Sequence, residues 1–311
     1  MRKLLVVGSI NMDVVSNVKQ FPLPGETIHS GGTAFVPGGK GANQAVAAAR
    51  AGADCAMVGA VGLDPFGDTL VASLAERGVD AGAVLRKEGT SGIALITVNE
   101  EGENNIILSE GANGKVTAAD VASSAAWDGV YAVLLQNEIP WETTLSAMRG
   151  AKDAGVRVFL NPAPARSLPD ETFPLLDTLI VNETEAAVVT GVKVDGVASA
   201  AVAAEWALAK GASSVIVTLG EQGCFYADAQ GARLAVPAFR VKPVDTTAAG
   251  DTFIGAYAAA SADGLGTEDA LRFAVAASAL AVTRPGAQSS IPDKAEIEAF
   301  LTRETSGDVL I

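Results

Sequence analysis

Short apolar runs alternate with Ala-rich stretches along most of this chain: LLVV, a helical pattern over 41–51, CAMVGAV, another over 68–77, YAVLL, a third over 141–154, then VRVFL, TLIV and SVIVTL. Runs that are apolar without a polar alternate residue belong to strands buried on both faces, and helices between such strands return the chain for parallel pairing. The pattern therefore predicts an α/β fold built on a mostly parallel, Rossmann-like sheet covered on both sides. Two stretches break the rhythm, 13–36 and 90–108. In the second, SGIALITVNEEGENNIIL reads as two strands around a Glu-Gly turn, so the pair predicts a small β lid over one edge of the sheet. Helical patterns return over 251–263, 268–282 and 294–303. With no repeat or linker, 1–311 reads as one domain carrying an inserted lid.

Composition limits what such a domain binds. At 311 residues and 49% hydrophobic content the core is ample. The 36 acidic and 22 basic residues leave a net charge of -14, which repels nucleic acid and anionic membranes. An anionic ligand must then be held by local donors, not by the overall field. Cys55 and Cys224 are too few for a disulfide framework, and the lone histidine, His29, is too few for zinc clusters. A cytoplasmic protein is expected. MRKLLVVGSI opens like a leader, but its short apolar run passes straight into Asn11 and Asp13, as a buried first strand does.

The chemistry gathers at strand ends. GSINMD places Asn11 and Asp13 just past the first strand, at the carboxyl edge where open α/β sheets bind ligands. A carboxylate accepting from adjacent hydroxyls and an amide that both donates and accepts suit a sugar, although an ordinary strand exit has the same composition. GGKGANQ, 38–44, opens the next helix with glycines that permit close backbone approach and with Lys40 and Asn43 as donors. Glu138 in QNEIP, Asn161 in NPAPAR and Asn182 in NETE follow later strands. Asn182 with Glu185 also satisfies a capping box, so a helix start alone accounts for that pair. GANGKVT, 111–117, fails the P-loop template in spacing and in Val116 after Lys115. TLGEQG either cradles a nucleotide or turns a hairpin into CFYAD. In DTTAAGDTF, the small residues Ala248, Ala249 and Gly250 clear a helix start for an anion, with Asp251 beside it as a proton acceptor. That is the arrangement phosphoryl transfer to an alcohol needs.

GSINMD, FPLPGET, GGKGANQA, NPAPA, NETE, TLGEQG, DTTAAGDTF and AVTRPGAQ occur in the order and spacing of the phosphofructokinase-B family of sugar and nucleoside kinases. The chain closely resembles that family's ribokinase branch over nearly its whole length. The resemblance implies a three-layer α/β unit with a β lid, dimerising through the lids, and ATP-dependent phosphorylation of the 5-hydroxyl of D-ribose. It makes Asp251 the general base and Ala248, Ala249 and Gly250 an anion hole. Asn11, Asp13, Gly39, Lys40, Asn43 and Glu138 become the sugar site, and Asn182, Thr218, Gly220, Gly223 and Gly250 the nucleotide site. Glu185 would hold hydrated magnesium. Asp245, with the carbonyls of Thr247, Ala281, Arg284 and Gly286 and the Ser290 hydroxyl, would enclose a monovalent cation, potassium.

Two positions depart from the family pattern: Val275 stands where Asn or His is frequent near the adenine, and Pro285 replaces a common Lys. A kinase of the same branch acting on 2-deoxyribose, another small sugar or a nucleoside is the nearest alternative. A non-catalytic sugar binder would have no use for Asp251 and AAGD. A dinucleotide-dependent oxidoreductase lacks its GxGxxG after the first strand.

Overall fold

A computed structural model describes residues 2–306. The LLVV run is strand β1 (Lys3–Val7), in which Leu4, Val6 and Val7 are fully buried. Its side chains divide by the two-residue period of a strand. Leu4 and Val6 join one core with Ala45, Phe253 and Ala274, while Leu5 and Val7 join a second with Met148 and Ala203. Both faces of the strand are thus dry, which is why the run has no polar alternation.

β1 lies within a nine-stranded sheet. On one side follow β8 (Val130–Leu135), β9 (Arg157–Leu160), β10 (Thr178–Asn182) and β11 (Ser214–Thr218), all parallel. Two antiparallel strands, β12 (Cys224–Asp228) and β13 (Arg233–Val236), close that edge. On the other side lie β4 (Asp54–Gly62) and β5 (Val79–Lys87). The α/β fold with a mostly parallel sheet is as the alternation predicts. TLGEQG turns the β11–β12 hairpin through a short 3-10 turn at Gly220–Gln222.

The two irregular stretches supply a second, four-stranded sheet in the order β3 (Gly32–Gly38), β2 (Asn11–Asn17), β6 (Gly92–Val98), β7 (Asn104–Ser109). Asn113, from the rejected GANGKVT segment, pins this sheet to the main one. Its Oδ1 accepts from Ile10 N (3.0 Å) and its Nδ2 donates to Ile10 O (3.1 Å) and Asn11 Oδ1 (2.7 Å). Gly92 is required beside it, because a Cβ there would lie 2.2 Å from both Asn11 Oδ1 and Asn113 Nδ2.

Helix bounds follow local capping. α1 (Lys40–Arg50) and α4 (Trp141–Asp153) match their patterns closely. α2 (Pro65–Glu76) begins earlier than 68, because Asp64 Oδ1 accepts from Gly67 N at 2.9 Å with Pro65 in the first helical position. α7 (Ala249–Asp263), α8 (Thr267–Ala281) and α9 (Lys294–Ser306) form the last third. Among the described residues no helix is long and apolar enough to cross a membrane.

Candidate active site

Asp251 lies in the first turn of α7, which Ala248 opens in the left-handed region at φ 59°, ψ 12°. A non-glycine residue there costs about 1–2 kcal/mol; no side chain caps the turn, the Ala249 N–H donates to Thr246 O at 3.2 Å, and residues 248–251 line a cavity. A Cβ on Gly250 would meet nothing within 4 Å, which leaves that side open to an approaching group. The cavity, about 200 Å³, is lined by Lys40, Asn161, Asn182, Glu185 and residues 248–251. A larger one of about 710 Å³ shares Asn182, Thr218, Ala249 and Gly250 with it and extends past Gly220, Gly223 and Val275. The nucleotide candidates therefore meet along one continuous cleft with Asp251 at its inner end.

Beyond Asp251 sit the sugar candidates. Asn11, Asp13, Asn43 and Asp251 are 5, 9, 6 and 7% exposed; Asn11 and Asp13 stand at the start of lid strand β2, shortly past the end of β1, and Asn43 and Asp251 in the first turns of α1 and α7. Asp251 Oδ2 accepts from Asn43 Nδ2 (3.1 Å) and its Oδ1 from Gln44 Nε2 (3.0 Å). Asn43 Oδ1 has no hydrogen-bond partner among the described residues, so it stands ready to accept from a ligand hydroxyl. Asn11 already spends its Oδ1 on Asn113 and meets a ligand as a donor. Glu138 Oε2 accepts from Ser9 Oγ (2.5 Å) and Lys40 N (3.2 Å), fastening β1, β8 and the start of α1 together. The glycines of GGKG are steric necessities: a Cβ on Gly38 would strike the Asp13 carboxylate, and Gly39, at φ 91°, lies against the Asn11 backbone.

Charge is concentrated here. Burial pushes Asp13 up to about 7, with Glu138 and Asp251 adding to the rise and Lys40 opposing it. Burial likewise raises Glu138, while Asp251 above all holds Lys40 in its charged form. One ammonium thus faces three carboxyl groups, of which Asp13 keeps its proton up to about pH 7.

Glu185 is raised by burial, and its Oε2 accepts from Asn161 Nδ2 (2.9 Å) and Asn182 N (3.0 Å). The capping box is formed, and the same two residues line the cavity, so the two readings of NETE coexist. Among the described residues no group of three or more His, Cys, Asp or Glu is placed to hold a metal. A magnesium ion that kept its waters and leaned on phosphate oxygens would match a lone carboxylate of this kind.

Asp245 ties the loop before α7 to the one after α8. Asp245 Oδ1 accepts from Thr247 N (2.9 Å) and Oδ2 from Gly286 N (2.8 Å), while Asp245 N donates to Val282 O (3.2 Å). Burial alone would raise Asp245, but hydrogen bonds from Thr247 and Gly286 hold it below the ordinary value. His29 is exposed and away from these groups, and Cys55 and Cys224 are buried core thiols, each pushed up to about 12 by burial.

Sequence reasoning did not single out Gln44, Gln136, Ser9 or Asn113. An uncharged amide carries no signal of its own until the group it faces has been placed.

The description pfkB family carbohydrate kinase fits residues 1–294. The chain is 42% identical over 304 residues to a ribokinase of Haemophilus influenzae, covering 97% of this chain and 99% of that protein. It is 36% identical over 302 residues to a deoxyribokinase of Salmonella typhimurium, covering 96% and 98%. A ribokinase of Arabidopsis thaliana solved with ribose and ATP superposes with a TM-score of 0.89 at 32% identity, across 96% of this chain and 98% of that one.

Proposed function

The chain belongs to the pfkB family of carbohydrate kinases, and from that premise we propose that it transfers the γ-phosphoryl group of ATP to the 5-hydroxyl of D-ribose, giving ribose 5-phosphate. The observation that carries this reading is the placement of Asp251. It stands where the open first turn of α7 meets a buried pocket of Asn11, Asp13 and Asn43.

In this reading the sugar lies against Asn11, Asp13, Gly39, Lys40, Asn43 and Glu138, its hydroxyls donating to Asp13 and to Asn43 Oδ1. Its terminal hydroxyl reaches Asp251, which takes the proton as the oxygen attacks phosphorus. The N–H groups around Ala248, Ala249 and Gly250 receive the charge that grows on the transferring group, and Lys40, in the same cavity, balances it. The larger cavity receives the nucleoside, bounded by Asn182, Thr218, Gly220 and Gly223, with Val275 giving the base an apolar contact. Magnesium, bound through water to Glu185, would neutralise phosphate charge. Potassium between Asp245, Thr247, Ala281, Arg284, Gly286 and Ser290 would steady the loop that begins α7. The expected setting is cytoplasmic, with small molecules and a second copy of the chain as partners.

Asp13 favours ribose over 2-deoxyribose, since a missing hydroxyl would leave part of a buried carboxylate unpaired at about 1–3 kcal/mol. The test is ADP release, with magnesium and potassium present, across ribose, 2-deoxyribose, fructose, adenosine and cytidine. The expected result is a kcat/KM for ribose about tenfold or more above the others, equivalent to about 1.4 kcal/mol. Preference for 2-deoxyribose would reassign the sugar, and no turnover on any of them would overturn the kinase reading.

A further inference from the structure

A file of buried amides stands behind Asp251, on the side away from the cleft. Asp251 Oδ1 accepts from Gln44 Nε2 at 3.0 Å, and Gln44 Oε1 accepts in turn from Gln136 Nε2 at 2.7 Å. Gln44 is 0% and Gln136 1% exposed, and neither lines the cavity around Asp251. The direction of the file follows from its first member. A carboxylate only accepts, so Gln44 must present its NH₂, which leaves its oxygen toward Gln136 and obliges Gln136 to present its own NH₂.

The far end then falls short. Gln136 Oε1 has no hydrogen-bond partner among the described residues and lies against Gly8, where a Cβ would come within 1.9 Å of it. A buried acceptor left without a donor costs stability, and the Gln136 amide is kept in the core despite that cost. Its presence in the core at the end of β8 therefore calls for a reason other than packing.

The file also spans the joint that sets the base. Gln136 follows β8, Gln44 lies on α1 and Asp251 on α7. α1 and α7 touch closely at Gly255, where a Cβ would lie 2.5 Å from Ala47 Cβ and 2.6 Å from Gln44 O. Asn43 holds the other carboxylate oxygen, but in the reading above its Oδ1 is also assigned to a sugar hydroxyl. Gln44 and Gln136 have no such second task, since both are buried and neither lines the cavity around Asp251.

We propose that Gln44 and Gln136 are positioning residues that fix the plane of the Asp251 carboxylate toward the attacking hydroxyl, the order of polarity running from Asp251 back to an unsatisfied Gln136 oxygen. This rests on Asp251 being the base. Misplacing a catalytic group by a fraction of its working distance costs turnover far more than it costs substrate binding.

The experiment compares Gln136→Met, Gln44→Met and Asp251→Asn for kcat, KM for both substrates and thermal midpoint. For Gln136→Met the expected outcome is a kcat lowered by about tenfold or more and KM values within about twofold, with a thermal midpoint near that of the parent chain, because the change removes the orphaned Gln136 Oε1 but strands Gln44 Oε1 in its place. A residue that merely supports the core would lose stability and keep its kcat per folded molecule. Gln44→Met is expected to lower kcat further, again with KM nearly unchanged. Parent-like kcat in both Met variants, or failure of Gln136→Met to fold, overturns the positioning role. If those variants are normal while Asp251→Asn is inactive, the relay fails and the base assignment stands; if Asp251→Asn turns over normally, the base assignment itself is lost and the relay with it.

Discussion

Asp251 carries the most exposed claim about this chain, and its replacement is the most direct check. Asp251→Asn keeps the shape but removes the proton acceptor and sets a donor against one of the two amide donors that Asp251 accepts from, so kcat should fall by about 10²- to 10⁴-fold while ATP binding, measured by calorimetry, persists. Unchanged turnover would refute the assignment. Asp13 offers a second check through pH. It is raised to about 7 from 3.8, so between those values the folded chain keeps a proton that the unfolded chain has lost. The resulting stabilisation is complete below about 3.8 and is lost as pH rises through about 7. The thermal midpoint of the ligand-free protein should therefore decline from about pH 6 to pH 8, and Asp13→Asn should flatten that decline; equal slopes in the two proteins would rule Asp13 out as the cause. Both aspartates were legible in the sequence, because acids beside glycine and alanine at strand ends and helix starts are conspicuous. Gln44 was not, although it adjoins Asn43 in GGKGANQ. An amide has no charge to betray it, and its role is set by Asp251, more than two hundred residues away along the chain.

At the level of elements, strands and helices were readable wherever period and caps agreed, and misread where a single contact moved a boundary. α2 starts at Pro65 because Asp64 caps it, a local signal that the apolar spacing alone does not contain. β5 went unread because VDAGAVLRK has no clear alternation and its pairing with β4 is interrupted between Ala56 and Val58. The packing of α1 on α7 was equally hidden, since nothing in the local sequence of Gly255 says which helix will press on it. Gly255→Ala should push these helices apart by driving a methyl into Ala47 and the Gln44 carbonyl, destabilising the chain by about 1–3 kcal/mol in denaturant unfolding. A stability unchanged from the parent would mean that the contact yields without cost. The loop before α7 is tied to the one after α8 by the Asp245 carboxylate. If potassium completes that tie, sodium in its place should lower kcat and also lower the thermal midpoint of the ligand-free protein, and identical values in both salts would dismiss the site.

For the whole molecule, the second sheet poses the remaining physical problem. Pairing places Phe35, Val14, Leu95 and Ile107 in one row across one face. Phe35, Leu95 and Ile107 are 59, 48 and 67% exposed, and Ile106 and Leu108 on the opposite face are 53 and 45% exposed. Asp13 belongs to the same sheet, so whatever steadies these strands also steadies the proposed sugar pocket. A four-stranded sheet with apolar residues on both faces and little helix against it is unusual for an isolated chain, and contiguous apolar area of that kind marks an interface. The chain's irregular stretches gave away that a lid existed, but strand order and the exposed row depend on pairings that no local pattern encodes. If two lids cover each other, sedimentation should give a dimer at micromolar concentration. Ile107→Lys, at the end of the exposed row on edge strand β7, should then shift the species toward the monomer. Because the lid strand β2 contributes Asn11 and Asp13, the same change should raise KM for the sugar while leaving KM for ATP nearly unaltered. A parent chain that sediments as a monomer would remove the assembly from the account, and an Ile107→Lys monomer with normal sugar KM would show that the lid needs no partner to form the pocket.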